Sequence, residues 1–163
     1  MGKYNYDALG NRVRFREFGL KDGMPFQNDR LMLFEEGVSY EINWPFGCKK
    51  RALETSFQPM QVPSNATFMG QVIVGSSSMP LQGLLVNNWV GELPEMQAKY
   101  MASFTAIGCL PLSTIYYTNE TGYMSISFHN IVHGIDNPQV FFPPAICKHA
   151  ELKGKTDFFG AFL

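Results

Sequence analysis

His129 and His133, in the run His129-Asn130-Ile131-Val132-His133, have the i, i+4 spacing that places two imidazoles on one face of a helix, as helical zinc sites require. The residues just before them, Ser125-Ile126-Ser127-Phe128, alternate as a strand, and no third ligand stands close by, so both read as strand-end histidines. Only His149 completes the histidine set, and neither a serine nor a cysteine has a base and an orienting group beside it in sequence. The chain carries no phosphate loop, no dinucleotide fingerprint and no Gly-x-Ser-x-Gly elbow. A non-enzymatic protein with no catalytic cofactor is expected. The competing enzymatic reading is an acyl-ester hydrolase that uses His129 or His133.

Other residues invite binding chemistry. The acidic pairs Asp22/Asp29, Glu35/Glu36 and Glu92/Glu95 offer hard oxygen ligands of the kind calcium takes, without EF-hand spacing; solvated surface is the simpler reading of each. Arg12, Arg14 and Arg16 form a row on alternate residues that reads as a solvated face rather than a reader of anions. Three cysteines, Cys48, Cys109 and Cys147, make an odd set. In an oxidising compartment two can pair, leaving a third without a partner. Cys109 follows Gly108 and has no basic neighbour in sequence to activate its thiol. Asn65-Ala66-Thr67 and Asn119-Glu120-Thr121 are glycosylation sequons.

The elements that must position these residues read as strands. Leu31 to Ile42 is the organising stretch, two apolar runs flanking Glu36-Gly37, with Val38, Tyr40 and Ile42 on one face and Ser39, Glu41 and Asn43 on the other. Tyr4 to Leu9 and Arg12 to Phe18 form a hairpin about Gly10-Asn11, and residues 19 to 28 read as a loop. Cys48 to Leu53 continues as a strand, and Ser56 to Asn65, with Pro59 and Pro63, is an irregular surface crossing. Phe68 to Val74, Leu84 to Val90, Lys99 to Ile107, Leu112 to Tyr117 and Tyr123 to Val132 follow at short spacing, as in an antiparallel meander. Phe141-Phe142 is framed by Asp136-Asn137-Pro138 and Pro143-Pro144 and looks exposed unless a loop packs over it. Glu151 to Phe162 fits a short terminal helix with Phe158, Phe159 and Phe162 on one side.

The totals agree with an all-β fold. Of 163 residues, 45% are hydrophobic and 17% charged, enough to bury a core as one domain. Aromatic residues reach 14%, and 15 Gly with 10 Pro suit short strands and turns. The formal net charge is -1, from 13 basic and 14 acidic residues without a long run of one sign, so nucleic acid is not an expected partner. No apolar run reaches the length of a membrane-spanning helix. Met1 to Tyr6 lacks the apolar core of a signal peptide, which leaves two readings open: a cytosolic protein, or a chain whose leader and first mature residues are missing. A sheet of nine or ten strands must curl, split or close, and curling creates a concave apolar face. Val38, Tyr40, Ile42, Trp89, Tyr100, Phe104, Ile126 and Phe128 are the residues expected to line it, each also able to serve as ordinary core.

Several segments in order resemble the ependymin family: Tyr6-Asp7 through Arg12-Val13-Arg14, Leu31 to Tyr40 with Cys48-Lys49-Lys50, Pro63-Ser64-Asn65-Ala66-Thr67-Phe68, Cys109-Leu110-Pro111-Leu112-Ser113-Thr114, Phe142-Pro143-Pro144 with Cys147, and Asp157-Phe158-Phe159. The resemblance implies a secreted or lysosomal glycoprotein with a Cys48–Cys147 disulfide and a glycan at Asn65, to which the second sequon adds Asn119. It implies that Cys109 is unpaired here, because the family partner lies near a mature N-terminus that this chain lacks. It further implies two curved antiparallel sheets in a half-barrel or sandwich with a deep apolar pocket, similar to bacterial lipoprotein-carrier folds. Fatty-acid or other lipid ligands, calcium binding and a homodimer are the expected partners and cofactor. A calcium-responsive protein that adheres to extracellular matrix is the alternative function.

Overall fold

The structure, a computed structural model, describes residues 2–44, 46–119 and 122–156. Alternation of apolar and polar side chains yields eleven strands among these residues: β1 (Gly2–Asp7), β2 (Arg12–Lys21), β3 (Met24–Leu33), β4 (Val38–Asn43), β5 (Gly47–Leu53), β6 (Thr67–Gly75), β7 (Gly83–Leu93), β8 (Ala98–Thr105), β9 (Pro111–Thr118), β10 (Gly122–Ser127) and β11 (Leu152–Thr156). They form two sheets, neither a closed barrel, with strand orders β1-β2-β3-β4-β5-β11 and β10-β9-β8-β7-β6. All pairs are antiparallel except β5 with β11, which run parallel. The chain divides into two compact units, one of residues 1–59 with 133–163 and the other of residues 60–132.

In the first unit the central hairpin forms as the alternation requires, with Leu31 opposite Tyr40 and Leu33 opposite Val38. Gly37 ends its turn at a φ of 62°, a conformation that costs glycine nothing. One face of the sheet buries Leu31, Leu33, Tyr40 and Ile42 beneath Phe141 and Cys147. The opposite face buries Val13, Met32 and Leu53, with Tyr6 stacked on Phe57 at 5.6 Å and Phe34 edge-on to the same ring at 5.2 Å. The segment that covers the first face comprises two 3-10 turns, Pro138–Phe141 and Ala145–Cys147. It is held to the sheet by a disulfide between Cys147 and Cys48 on β5, whose Cα atoms are 5.0 Å apart.

Four expectations about this unit change. Residues 19 to 28 are not a loop, because β2 and β3 extend to a two-residue turn at Asp22-Gly23, both at positive φ (53° and 76°). Asp-Gly is favoured in such a turn because its twist matches that of the strands it joins. The arginine row is not solvated, because Arg14 lies opposite Leu31 on the covered face and is itself buried. Phe141 and Phe142 separate, the first buried in the core and the second 60% exposed. Finally, Leu152–Thr156 at the start of the expected terminal helix is strand β11, since the open edge of β5 offers unpaired backbone groups. Phe158, Phe159 and Phe162 lie outside the described residues.

The second unit is an antiparallel meander, in the order read from sequence. Its β10 stops at Ser127, so Phe128 to Val132 leave the sheet after Phe128 N–H donates to the Leu112 carbonyl at 2.8 Å. The core of this unit is Tyr100, Ala102 and Phe104, with Val62, Ala66, Trp89, Leu93 and Tyr116 packed around them. Val62 and Ala66 come from the irregular crossing, which gives that proline-interrupted stretch a packing role.

Candidate functional site

Directly opposed residues in a sheet point to the same side. In the five-stranded sheet this places Phe68, Trp89, Ala102, Thr114 and Ile126 in one row across all five strands. A neighbouring row runs Gly91, Tyr100, Tyr116 and Met124. Phe104 follows two residues after Ala102 on the same side of β8, opposite Asn87. One face of one sheet therefore collects Trp89, Tyr100, Phe104 and Ile126 from the expected set, with Phe128 just past the end of β10. Tyr100 and Phe104 are buried, and Trp89 packs on the exposed Phe68 with ring centroids 5.1 Å apart.

Gly91 makes this arrangement possible. A Cβ there would stand 2.6 Å from Tyr100 Oη and 2.8 Å from the ring, so only a bare backbone lets the phenol lie across β7. The Tyr100 hydroxyl is buried and has no hydrogen-bond partner. Its burial pushes the phenol above its ordinary pKa, and Tyr116 is raised likewise, first by burial and then by the nearby Tyr100. At neutral pH both are neutral phenols, and Tyr100 brings an unused donor and acceptor to a face that also carries the rings of Phe68, Trp89 and Phe104.

Val38, Tyr40 and Ile42 are not part of this group. They lie on the six-stranded sheet, where Tyr40 and Ile42 belong to the core under Phe141 and Val38 packs against it. Sequence reasoning missed Phe68, Leu93, Tyr116 and Met124. Cross-strand register brings them in, and register is set by turns and a bulge at Phe68/Gly70 that alternation alone does not locate.

The remaining candidate residues have plain placements. His129, His133 and His149 are exposed outside any strand. Asp29 is buried against Arg14, away from the turn that holds Asp22, so those two do not form a pair. Among the described residues no group of three or more His, Cys, Asp or Glu is gathered as a metal site would need. Cys109 is exposed with a free thiol. Asn65 is exposed before β6 and its Nδ2 donates to the Glu92 carbonyl at 3.1 Å. Asn119 is exposed after β9, and the other two residues of its sequon lie outside the described residues. No helix among the described residues is long and apolar enough to cross a membrane.

Two open sheets, one of them with an aromatic face, and a disulfide define a protein of the all-β class. The sequence model of the Ependymin family matches residues 22–147. Ependymin-2 of Carassius auratus is 37% identical over 99% of this chain and 76% of its own length. Ependymin of Notemigonus crysoleucas is 35% identical over the same shares, and mammalian ependymin-related protein 1 of Mus musculus is 30% identical over 94% of this chain and 68% of its own. The chain belongs to the ependymin family.

Proposed function

We propose that the protein is a non-enzymatic extracellular or lysosomal glycoprotein that binds fatty acids or other lipid tails on the aromatic face of its five-stranded sheet. The supporting observation is the grouping of Trp89, Tyr100 and Phe104 on one face with the unpartnered Tyr100 hydroxyl among them. An acyl chain laid against such a face leaves water, a gain of about 0.8 kcal/mol per buried methylene. Its carbonyl or carboxylate would accept the hydrogen bond that Tyr100 does not otherwise make. A disulfide and two exposed asparagines in sequons fit an oxidising, glycosylating compartment.

The test is native mass spectrometry of protein from a eukaryotic secretory host, followed by organic extraction, and then addition of oleate to the delipidated protein. Stoichiometric acyl lipid, or saturable oleate uptake weakened by Trp89→Ala, is the expected result. An empty protein that rejects oleate overturns the reading. If it also self-associates on adding calcium, an adhesive role replaces it.

A further inference from the structure

The arginine row leads to a second site, on the covered face of the six-stranded sheet. Arg14 Nε and Nη2 donate to the two oxygens of Asp29 at 2.8 and 2.7 Å, and its Nη1 donates to the Val140 carbonyl at 2.8 Å. The Trp44 indole donates to Asp29 Oδ2 at 3.3 Å. Both oxygens of Asp29, the only carboxylate among the described residues of this lining, are thereby engaged, and its charge is balanced by Arg14. Arg16, next along the same face, adds only a long ion pair to the same carboxylate. Its Nε is buried without a hydrogen-bond partner, 3.8 Å from Asp29 Oδ2, and its side chain is 35% exposed.

Arg16 faces a cavity of about 710 Å³. Gln27 and Gln139 contribute amides to its lining, while Trp44, Phe142, Pro143 and Pro144 supply apolar surface. Trp44 and Phe142 are large rings left substantially exposed, at 48% and 60%. Two guanidinium groups against one carboxylate leave a net charge of one positive unit. Lys3, opposite Arg16 in register, is not among the residues that line the cavity, and Glu17 alternates to the other side of the sheet.

We propose that this cavity binds a monoanion that joins a carboxylate to a flat apolar body. The carboxylate pairs with the Arg16 guanidinium, whose planar fork matches it. The body lies against Trp44 and the Phe142-Pro143-Pro144 edge, with Gln27 and Gln139 also in the lining. A phosphate dianion would exceed the one unit of net positive charge that the described lining residues carry, which favours the carboxylate. Such a group occurs on small aryl acids and at the C-terminus of a peptide ending in an aromatic residue.

The experiment is an NMR titration of the full chain, observing the Arg16 Nε–H and Trp44 Nε1–H resonances. The probes are phenylacetate with its neutral counterpart 2-phenylethanol, and acetyl-Gly-Phe with its C-terminal amide. Saturable shifts at both resonances with the two acids are expected, with each neutral counterpart weaker by about tenfold or more, as loss of a charged hydrogen bond implies. The stronger of the two acids identifies the source of the carboxylate. Arg16→Gln should abolish the shift at Trp44, and Arg16→Lys should bind phenylacetate more weakly than the wild type but above Arg16→Gln. Equal binding of acid and neutral counterpart, unchanged binding by Arg16→Gln, or no shift with either acid overturns the proposal. The comparison of acids with their neutral counterparts uses only wild-type protein, so it decides even if a variant fails to fold.

Discussion

Asp29 shows how far a single side chain can depart from its appearance in sequence. Set among polar neighbours in sequence it looks like surface, yet it is 1% exposed and accepts hydrogen bonds from Arg14 and Trp44. Removing its charge strands Arg14 in the core, and a broken buried pair of this kind costs about 3–5 kcal/mol. Asp29→Asn should therefore lower the urea midpoint strongly, whereas Asp29→Asn combined with Arg14→Met should recover part of the loss. Asp7 carries the opposite lesson in pH. Its carboxylate accepts from the Gly10 N–H at 3.0 Å and from Arg12, and these hold its pKa below the ordinary value. A folded-state pKa below the unfolded one adds stability that is complete above about pH 4 and is lost as pH falls through the folded value. Urea titrations of wild type and Asp7→Asn should differ most at neutral pH and converge as the pH drops below about 4.

At the scale of elements, the 138–147 segment depends on its tether. The Cys48–Cys147 bridge closes a loop of 99 residues' separation. The chain-entropy view assigns a loop of this size about 4.7 kcal/mol of stability. Cys48→Ser with Cys147→Ser should shift the denaturation midpoint by roughly 2–5 kcal/mol equivalent, with Cys109 still present as a free thiol by thiol titration. The β2–β3 hairpin depends on its turn instead. Gly23 sits at a φ of 76°, so Gly23→Ala imposes a left-handed conformation on a residue with a Cβ and should cost about 1 kcal/mol in the same assay. A turn that merely joined two loops would tolerate the change.

At the scale of the whole molecule, a bound lipid acts as a stabiliser by mass action. A ligand that binds only the folded protein adds about 2.7 kcal/mol at a hundredfold excess over its Kd. Delipidated protein should melt lower than the same protein reloaded with oleate, with a Tm that rises with oleate concentration. A flat Tm across the titration would leave the aromatic face as core. The net charge of -1 provides little long-range field, so an added neutral lipid such as monoolein should stabilise comparably to oleate if tail burial dominates.

Alternation along the chain was enough to determine the β class, the central hairpin and the meander order of the second sheet, because side chains in a strand alternate with a period of two. It singled out Trp89, Tyr100 and Phe104, which cross-strand register sets on one side of the five-stranded sheet. It missed the Asp22-Gly23 turn only because the flanking residues, Gly19 to Asn28, alternate weakly. Strand β11 was beyond it for a different reason: its partner β5 lies about a hundred residues earlier, and no local pattern encodes a parallel pairing at that distance. Tertiary structure alone decided that Tyr40 and Ile42 are core, by laying Phe141 over them, and that Arg14 is buried, by supplying Asp29 and the Val140 carbonyl. Burial depends on what covers a face, and the covering segment comes from a part of the chain that the face itself does not specify.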